Sequence, residues 1–315
     1  MRTEIFTPAQ TAAALPYARL ALEIEALLKD PTVQVPPRLV QPLHGGGSLF
    51  VMPAADSRVA ITKLISFIPS NSARGLPTIQ GDIVVFDVQT GRRVGVLDGP
   101  TVTARRTAAV SLLAAQKLSH RRNASDPGAL LIVGAGVQGR AHLEAFHAGL
   151  GVQDVGVASR SPASAQALVQ HAQSLGMRAQ VVTDANAVLA HYPLVVSATP
   201  AQSVVLTAQP HPQAFVAAVG AFTPQMVEWG APVCQHLART GTLVVDTRDA
   251  DHEAGDLLQA GIAVNTLATL ADVILQTAHW RPRSLQSANC GPVYFKSCGW
   301  AGWDLAAARC VMARH

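Results

Sequence analysis

The sequence predicts an α/β fold whose second half is a Rossmann-type, doubly wound parallel sheet, and three observations carry that reading. From Ala129 onward, short apolar runs alternate with helical segments; "ALLIVGAG", "DVGVASR", "RAQVVT", "PLVVSATP", "AFVAAVGA" and "TLVVDT" read as strands. Continuous apolar strands separated by helices indicate a parallel sheet covered on both faces. Gly134, Gly136 and Gly139 follow the first of these strands directly and open the helical run "VQGRAHLEAFHAG". Before Ala129 the texture differs, with strands separated by turns, which marks a separate domain.

Each element has a local reason. "TPAQTAAALPYARLALEIEALLKD" opens a helix, with Thr7 as cap, Pro8 at the first helical position and Gln10 completing a capping box. Pro31, Pro36, Pro37 and Pro42 then enforce extended chain. Strands follow at "SLFVMPA", "RVAITKLISFIP" and "GDIVVFDV", then a turn at "TGRR" and a strand at "RVGVLDG". "TARRTAAVSLLAAQKL" reads as a helix with Thr103 as N-cap, and "SHRRNASDPG" as a polar linker. Beyond Ala271 the alternation lapses, leaving a strand at "PVYFKSCG" and a closing helix at "WAGWDLAAARCVM".

Composition narrows the function classes. Charged residues make up 14% of the 315, the net charge is +4, and aromatic content is 5%. A nucleic-acid groove wants a basic stripe with interleaved aromatics, which this chain lacks, so small anionic ligands fit the weak positive excess better. No apolar run reaches the ~18 residues of a membrane span, and "MRTEIFTPAQ" has no signal-peptide core. Cys234, Cys290, Cys298 and Cys310 form no CxxC pair. The expectation is a cytoplasmic protein with reduced thiols. Cys290 and Cys298 read as small packing residues. His44, His142, His147, His191, His211, His236 and His252 show no metal-ligand spacing, so no metal site is predicted.

The glycine cluster is a weak signal alone but stands here in its required context, strand before and helix after. Gly134 permits the tight turn, Gly136 lets the backbone approach a pyrophosphate, and Gly139 lets helix and strand pack closely. The helix N-terminus, at Val137 and Gln138, offers N–H groups to phosphate, and Thr199 in "SATP" is a further candidate cofactor contact. About twenty residues on, a dinucleotide site expects an acid for the adenosine ribose. Ser159, Arg160 and Ser161 stand there instead. A solvated loop could carry that arginine, but a guanidinium flanked by hydroxyls also suits a 2′-phosphate. The predicted cofactor is therefore NADPH rather than NADH.

The first domain holds cations in odd places. Strand alternation puts Ile61, Lys63, Ile65 and Phe67 on one face, so Lys63 either snorkels to the rim or meets a buried anion. With Thr103 as cap, Arg105 and Arg106 fall in the first helical turn, against the helix dipole. Such a place suits a carboxylate ligand. Arg38, in "VPPRLV", reads as an ordinary surface residue on its own.

"ITKLISFIPSNSARGLPTIQGDIVVFDVQTG", "TARRTAAVSLLAA", "VGAGVQGRAHLEAF", "VVSATP", "AVGAFTP" and "YFKSCGWAGWDLAAARCV" together resemble the ornithine cyclodeaminase/mu-crystallin family, from about Arg38 to the C-terminus. The resemblance implies a homodimer with an α+β substrate and dimerisation domain built from both chain ends, residues 1–122 and 276–315. Residues 123–275 would form the dinucleotide-binding domain, with the active site in the cleft between. It implies that Lys63 and Arg106 bind the substrate carboxylate, and that Arg38 and Thr78 contact substrate. Lys296 and Ser297 match the family's "KS" and would form a wall joining the first domain to the cofactor cleft.

Where ornithine cyclodeaminases carry a catalytic aspartate, this chain has Phe222, which cannot accept a proton and would line the apolar side of the pocket. With the missing ribose acid, this points to the family's NADPH-using branch. The implied activity is reduction of Δ1-pyrroline-2-carboxylate to L-proline and of Δ1-piperideine-2-carboxylate to L-pipecolate. The alternatives are cyclodeaminase-like or opine/alanine dehydrogenase chemistry, or a protein that only binds NADPH and small ligands.

Overall fold

The computed structural model describes residues 3–119, 128–278, 280 and 291–313. The chain divides into two compact units, Met1–Arg106 with Trp300–His315, and Thr107–Gly299.

The first unit begins with β1 (Glu4–Ile5), α1 (Pro8–Ala14) and α2 (Tyr17–Leu28). Thr7 and Gln10 form the expected reciprocal capping box, but the predicted single helix is two, because Pro16 cannot continue α1 and sits as the N-cap of α2. An antiparallel meander follows, β2 (Leu39–Pro42), β3 (Ser48–Ala55), β4 (Val59–Phe67), β5 (Ile79–Asp87) and β6 (Arg93–Asp98). With β1 parallel to β6, the sheet order is β1-β6-β5-β4-β3-β2. On β4, Val59, Ile61, Lys63 and Ile65 are buried while Leu64 is exposed, the alternation the sequence predicts.

Helix α3 (Gly99–Leu118) starts four residues before the expected cap. Asp98 receives the Thr101 N–H at 2.8 Å, whereas the Thr103 hydroxyl donates back to the Gly99 carbonyl from within the helix. Asp98 supplies the end cap. Arg105 and Arg106 therefore lie past the first turn, where the dipole penalty no longer applies.

The second unit is built on an all-parallel sheet. Its elements run β7 (Leu130–Val133), α4 (Val137–Leu150), β8 (Asp154–Ala158), α5 (Pro162–Ser174), β9 (Arg178–Val181), α6 (Ala185–Val188) and β10 (Leu194–Ser197). Then come β11 (Phe215–Ala218), α7 (Ala231–Thr240), β12 (Thr242–Val245), α8 (Gly255–Gln259), β13 (Ala268–Thr269), α9 (Leu270–Leu275) and β14 (Val293–Lys296). The order is β13-β12-β14-β11-β10-β7-β8-β9. β7 lies between β8 and β10, so strand order reverses there, the point where doubly wound sheets bind ligands beyond their carboxyl ends.

The chain closes in α10 (Ala301–Met312), which belongs to the first unit and packs on β3, β4 and α2. The expected boundaries at 122/123 and 275/276 differ from those found. The division falls inside α3, and β14 pairs with both β11 and β12, so "VYFK" belongs to the parallel sheet rather than to the C-terminal piece. Most of the predicted linker, and Cys290, lie outside the described residues. No described helix is long and apolar enough to cross a membrane.

Candidate active site

In the first unit the anion-seeking residues converge. Lys63 is 1% exposed, and its strand neighbours across the sheet are Met52 on β3 and Ile83 on β5, both buried and apolar. An unpaired ammonium there would be untenable. Its partner is Asp304, in the first turn of α10, with Nζ 3.1 Å from Oδ1. Arg106, from α3, brings Nε to 3.4 Å from the same oxygen. Lys63 therefore meets a buried anion and does not snorkel. Asp304 was not singled out from sequence; its one local signal is that it is a lone acid in the apolar run "AGWDLAAA".

Burial pulls the Lys63 ammonium from its usual range down to about 8; Asp304 opposes that fall, and the charges of Arg106 and Arg38 add to it. Arg38, half-buried just before β2, is thus within electrostatic reach of Lys63. Within this buried set, neither Arg106 Nε nor Asp304 Oδ2 has a hydrogen-bond partner among the described residues. Arg105 does other work. Its guanidinium stacks 3.8 Å from the Tyr17 ring centroid and its Nε donates to the Leu15 carbonyl. Thr78 is half-buried ahead of β5, and its carbonyl accepts the Ile68 N–H. Helix α10 is anchored further along by Arg309, which pairs with Asp56 and Asp30.

In the second unit the glycine loop has the required geometry. Gly134 has φ +111°, and a Cβ there would lie 2.5 Å from the Ala198 carbonyl oxygen; one at Gly139 would lie 1.9 Å from the Gly134 carbonyl oxygen. Gly136 differs, for a Cβ there would meet nothing within 4 Å. It caps α4 without a side-chain acceptor, and Val137 beside it is 71% exposed. No side chain caps this helix start and space is open beside Gly136, which fits the approach of a pyrophosphate. Gln138 is half-buried, with Oε1 unpartnered among the described residues.

Past the end of β8, Arg160 is exposed. Ser161 caps α5 by accepting the Ser164 N–H at 3.2 Å, and Ser159 accepts the Ser161 N–H. The Ser161 oxygen thus has a structural duty that the sequence reading had given to phosphate recognition; its O–H proton remains the part able to donate.

Thr199 is held by a residue not singled out from sequence. Glu228, fully buried, receives the Thr199 N–H and hydroxyl on Oε1, and the Gly220 N–H and Ser197 hydroxyl on Oε2. It joins the carboxyl ends of β10 and β11. Burial raises its carboxyl pKa, and the charge of Lys296 opposes this. Asp256 accepts the Glu228 and Trp229 N–H groups on one oxygen and Lys296 Nζ on the other. Lys296 and Ser297 are accordingly occupied within the unit, Ser297 by Asp246. Phe222 is half-buried against the apolar core of this unit, and Cys298 is buried.

With this geometry in place, the comparisons are consistent. The chain is 37% identical to Δ1-pyrroline-2-carboxylate reductase 1 of Burkholderia multivorans over 98% of its length and 94% of that protein. It is 37% identical to the Δ1-pyrroline-2-carboxylate/Δ1-piperideine-2-carboxylate reductase of Azospirillum brasilense, covering 97% and 94% respectively. The fold matches that of Thermococcus litoralis Δ1-pyrroline-2-carboxylate reductase in complex with NADH and L-proline, with TM-score 0.82 at 23% identity over 100% of this chain and 97% of the other. The sequence profile of one family matches residues 4–315, and the chain belongs to the ornithine cyclodeaminase/mu-crystallin family.

Proposed function

We propose that this protein is an NADPH-dependent ketimine reductase that converts Δ1-pyrroline-2-carboxylate to L-proline and Δ1-piperideine-2-carboxylate to L-pipecolate. The observation that carries this reading is the buried pairing of Lys63 and Arg106 on one oxygen of Asp304, with Arg38 in reach, where a small carboxylate can be clamped. The named activities of the relatives at 37% identity support the same substrates.

In this reading Arg106 and Lys63 bind the imino-acid carboxylate, with Arg38 and Thr78 as further substrate contacts. Gly134, Gly136, Val137, Gln138, Gly139 and Thr199 hold the dinucleotide. Bound nicotinamide supplies the hydride that C2 of the imine accepts. The ring nitrogen takes one proton from solvent, so C=N becomes CH–NH without a dedicated aspartate, and Phe222 at that position is tolerated. Positioning by the cations accounts for most of the protein's own contribution.

Preference for NADPH rests on Arg160 at the end of β8, with Ser159 and Ser161 beside it in place of an acid. A homodimer is supported by the sheet face opposite Lys63, where Leu39, Val51 and Leu64 lie in register. Leu39 is 56% and Leu64 46% exposed, an apolar stripe that a second copy would cover.

The test is NADPH oxidation by the purified protein with each cyclic imine, with ornithine plus NAD as control. Oxidation with either imine is the expected result. Ammonia release from ornithine with no net cofactor change points instead to a cyclodeaminase, and oxidation with neither imine overturns the proposal.

A further inference from the structure

The two cations assigned to the substrate carboxylate carry like charge, sit on different elements and are both buried. Like charges a few ångströms apart in a low-dielectric interior repel by several times thermal energy, so their placement needs a cause. Lys63 comes from β4, where its cross-strand neighbours Met52 and Ile83 carry no charge. Arg106 comes from α3. The charged groups found around Lys63 are Asp304 from α10, Arg106 from α3 and Arg38 ahead of β2.

We propose that Asp304 is a positioning residue for substrate binding, whose Oδ1 holds Lys63 and Arg106 side by side so that both present to one ligand carboxylate. This rests on the reading of Lys63 and Arg106 as carboxylate ligands. Two observations separate it from an ordinary core ion pair. Nearly all buried polar atoms in a settled core find partners. Here Arg106 Nε, buried and 3.4 Å from Asp304 Oδ1, makes no hydrogen bond among the described residues, so the set keeps a donor able to meet a ligand carboxylate. Further, the helix that delivers Asp304 is itself fastened by Arg309 to Asp30 and Asp56, which fixes where the carboxylate stands.

A consequence follows for pH. Lys63 loses its proton as pH rises through about 8, and Asp304 acts to keep that proton on. Anion affinity should therefore fall on the alkaline side in the native protein. Removing the Asp304 charge moves that fall to lower pH, a change that loosened packing alone does not produce.

The experiment uses the full chain with NADPH, Asp304→Asn and Asp304→Glu variants, and pyrrole-2-carboxylate, a planar carboxylate, titrated by calorimetry across pH. Asp304→Asn is expected to weaken analogue binding roughly tenfold or more and to shift its alkaline limb down by about one pH unit. KM for imine should rise in parallel, kcat should change less, and NADPH affinity should stay within about twofold. Asp304→Glu, which keeps the charge but displaces the oxygens, should fall between the two.

Equal analogue affinity and an unmoved limb in both variants overturn the proposal. If Asp304→Asn does not fold, the glutamate variant decides. Weakening of about threefold or more supports the role, and equality with the native protein removes it. A native protein that binds no analogue also overturns it. One that binds the analogue through Asp304 yet reduces neither imine leaves this inference standing and sinks the reductase reading instead.

Discussion

Arg106, well inside α3, and Arg160, just ahead of α5, are both arginines whose surroundings give them different work. Arg106 is buried beside Asp304, so Arg106→Ala removes a guanidinium and leaves Asp304 with Lys63 alone. Turnover should drop by at least about a hundredfold, with NADPH affinity nearly unchanged; steady-state kinetics and cofactor titration check both. Arg160 is exposed at the end of β8, and the proposed function gives its charge a ligand phosphate. Arg160→Asp should weaken NADPH at least about tenfold and leave NADH little affected or improved. Equal loss for both cofactors removes the phosphate role. Glu228 is a third case. Each of its oxygens accepts a backbone N–H, from Thr199 and Gly220. Glu228→Gln puts an NH2 against one of those donors, and stability should fall by about 1–3 kcal/mol in urea unfolding.

At the level of elements, the pairing of α3 with α4 inside the second unit carries a pH signature. His142 on α4 is fully buried between the Gln138 carbonyl and the Ser111 hydroxyl of α3, at 2.8 and 2.9 Å. A carbonyl can only accept, so Nδ1 carries the proton and Nε2 accepts from Ser111. Burial lowers its pKa from 6.5 to about 4. Between those values the unfolded chain binds the proton and the folded one does not. Stability is therefore fully present above about 6.5 and is lost as pH falls toward 4. His142→Gln should flatten that acid-side slope in denaturant titrations from pH 7 to 4, and an unchanged slope excludes His142 as its source. The strands show the same dependence on context. "VYFK" reads as a strand from its residues alone, but its place between β11 and β12 comes from pairing partners far away in sequence.

For the whole molecule, ligand linkage and assembly are the measurable properties. A ligand at about a hundred times its Kd adds roughly 2.7 kcal/mol to folding. NADPH should therefore raise the unfolding temperature more than NADH at equal free concentration, and the order should reverse in Arg160→Asp. The apolar stripe of exposed Leu39 and Leu64 about half-buried Val51 should be covered in a dimer. Leu64→Glu is expected to shift sedimentation toward monomer with the monomer fold intact, and a native protein that already sediments as a monomer removes the assembly from the proposal.

The α/β class, the glycine loop, the Thr7 capping box, the alternation that buries Lys63 and the absence of a ribose acid were all legible in the chain itself. Each depends on residues near one another in sequence, where periodicity, caps and turn chemistry act directly. Only the tertiary structure decided that Lys63 and Arg106 share Asp304, 241 residues from Lys63, and that Glu228 ties two strand ends together. A buried charge chooses its partner by proximity in space and by the cost of standing unpaired. Neither quantity is written in local spacing, so an aspartate among alanines on the last helix showed its use only once the sheet and that helix were packed together.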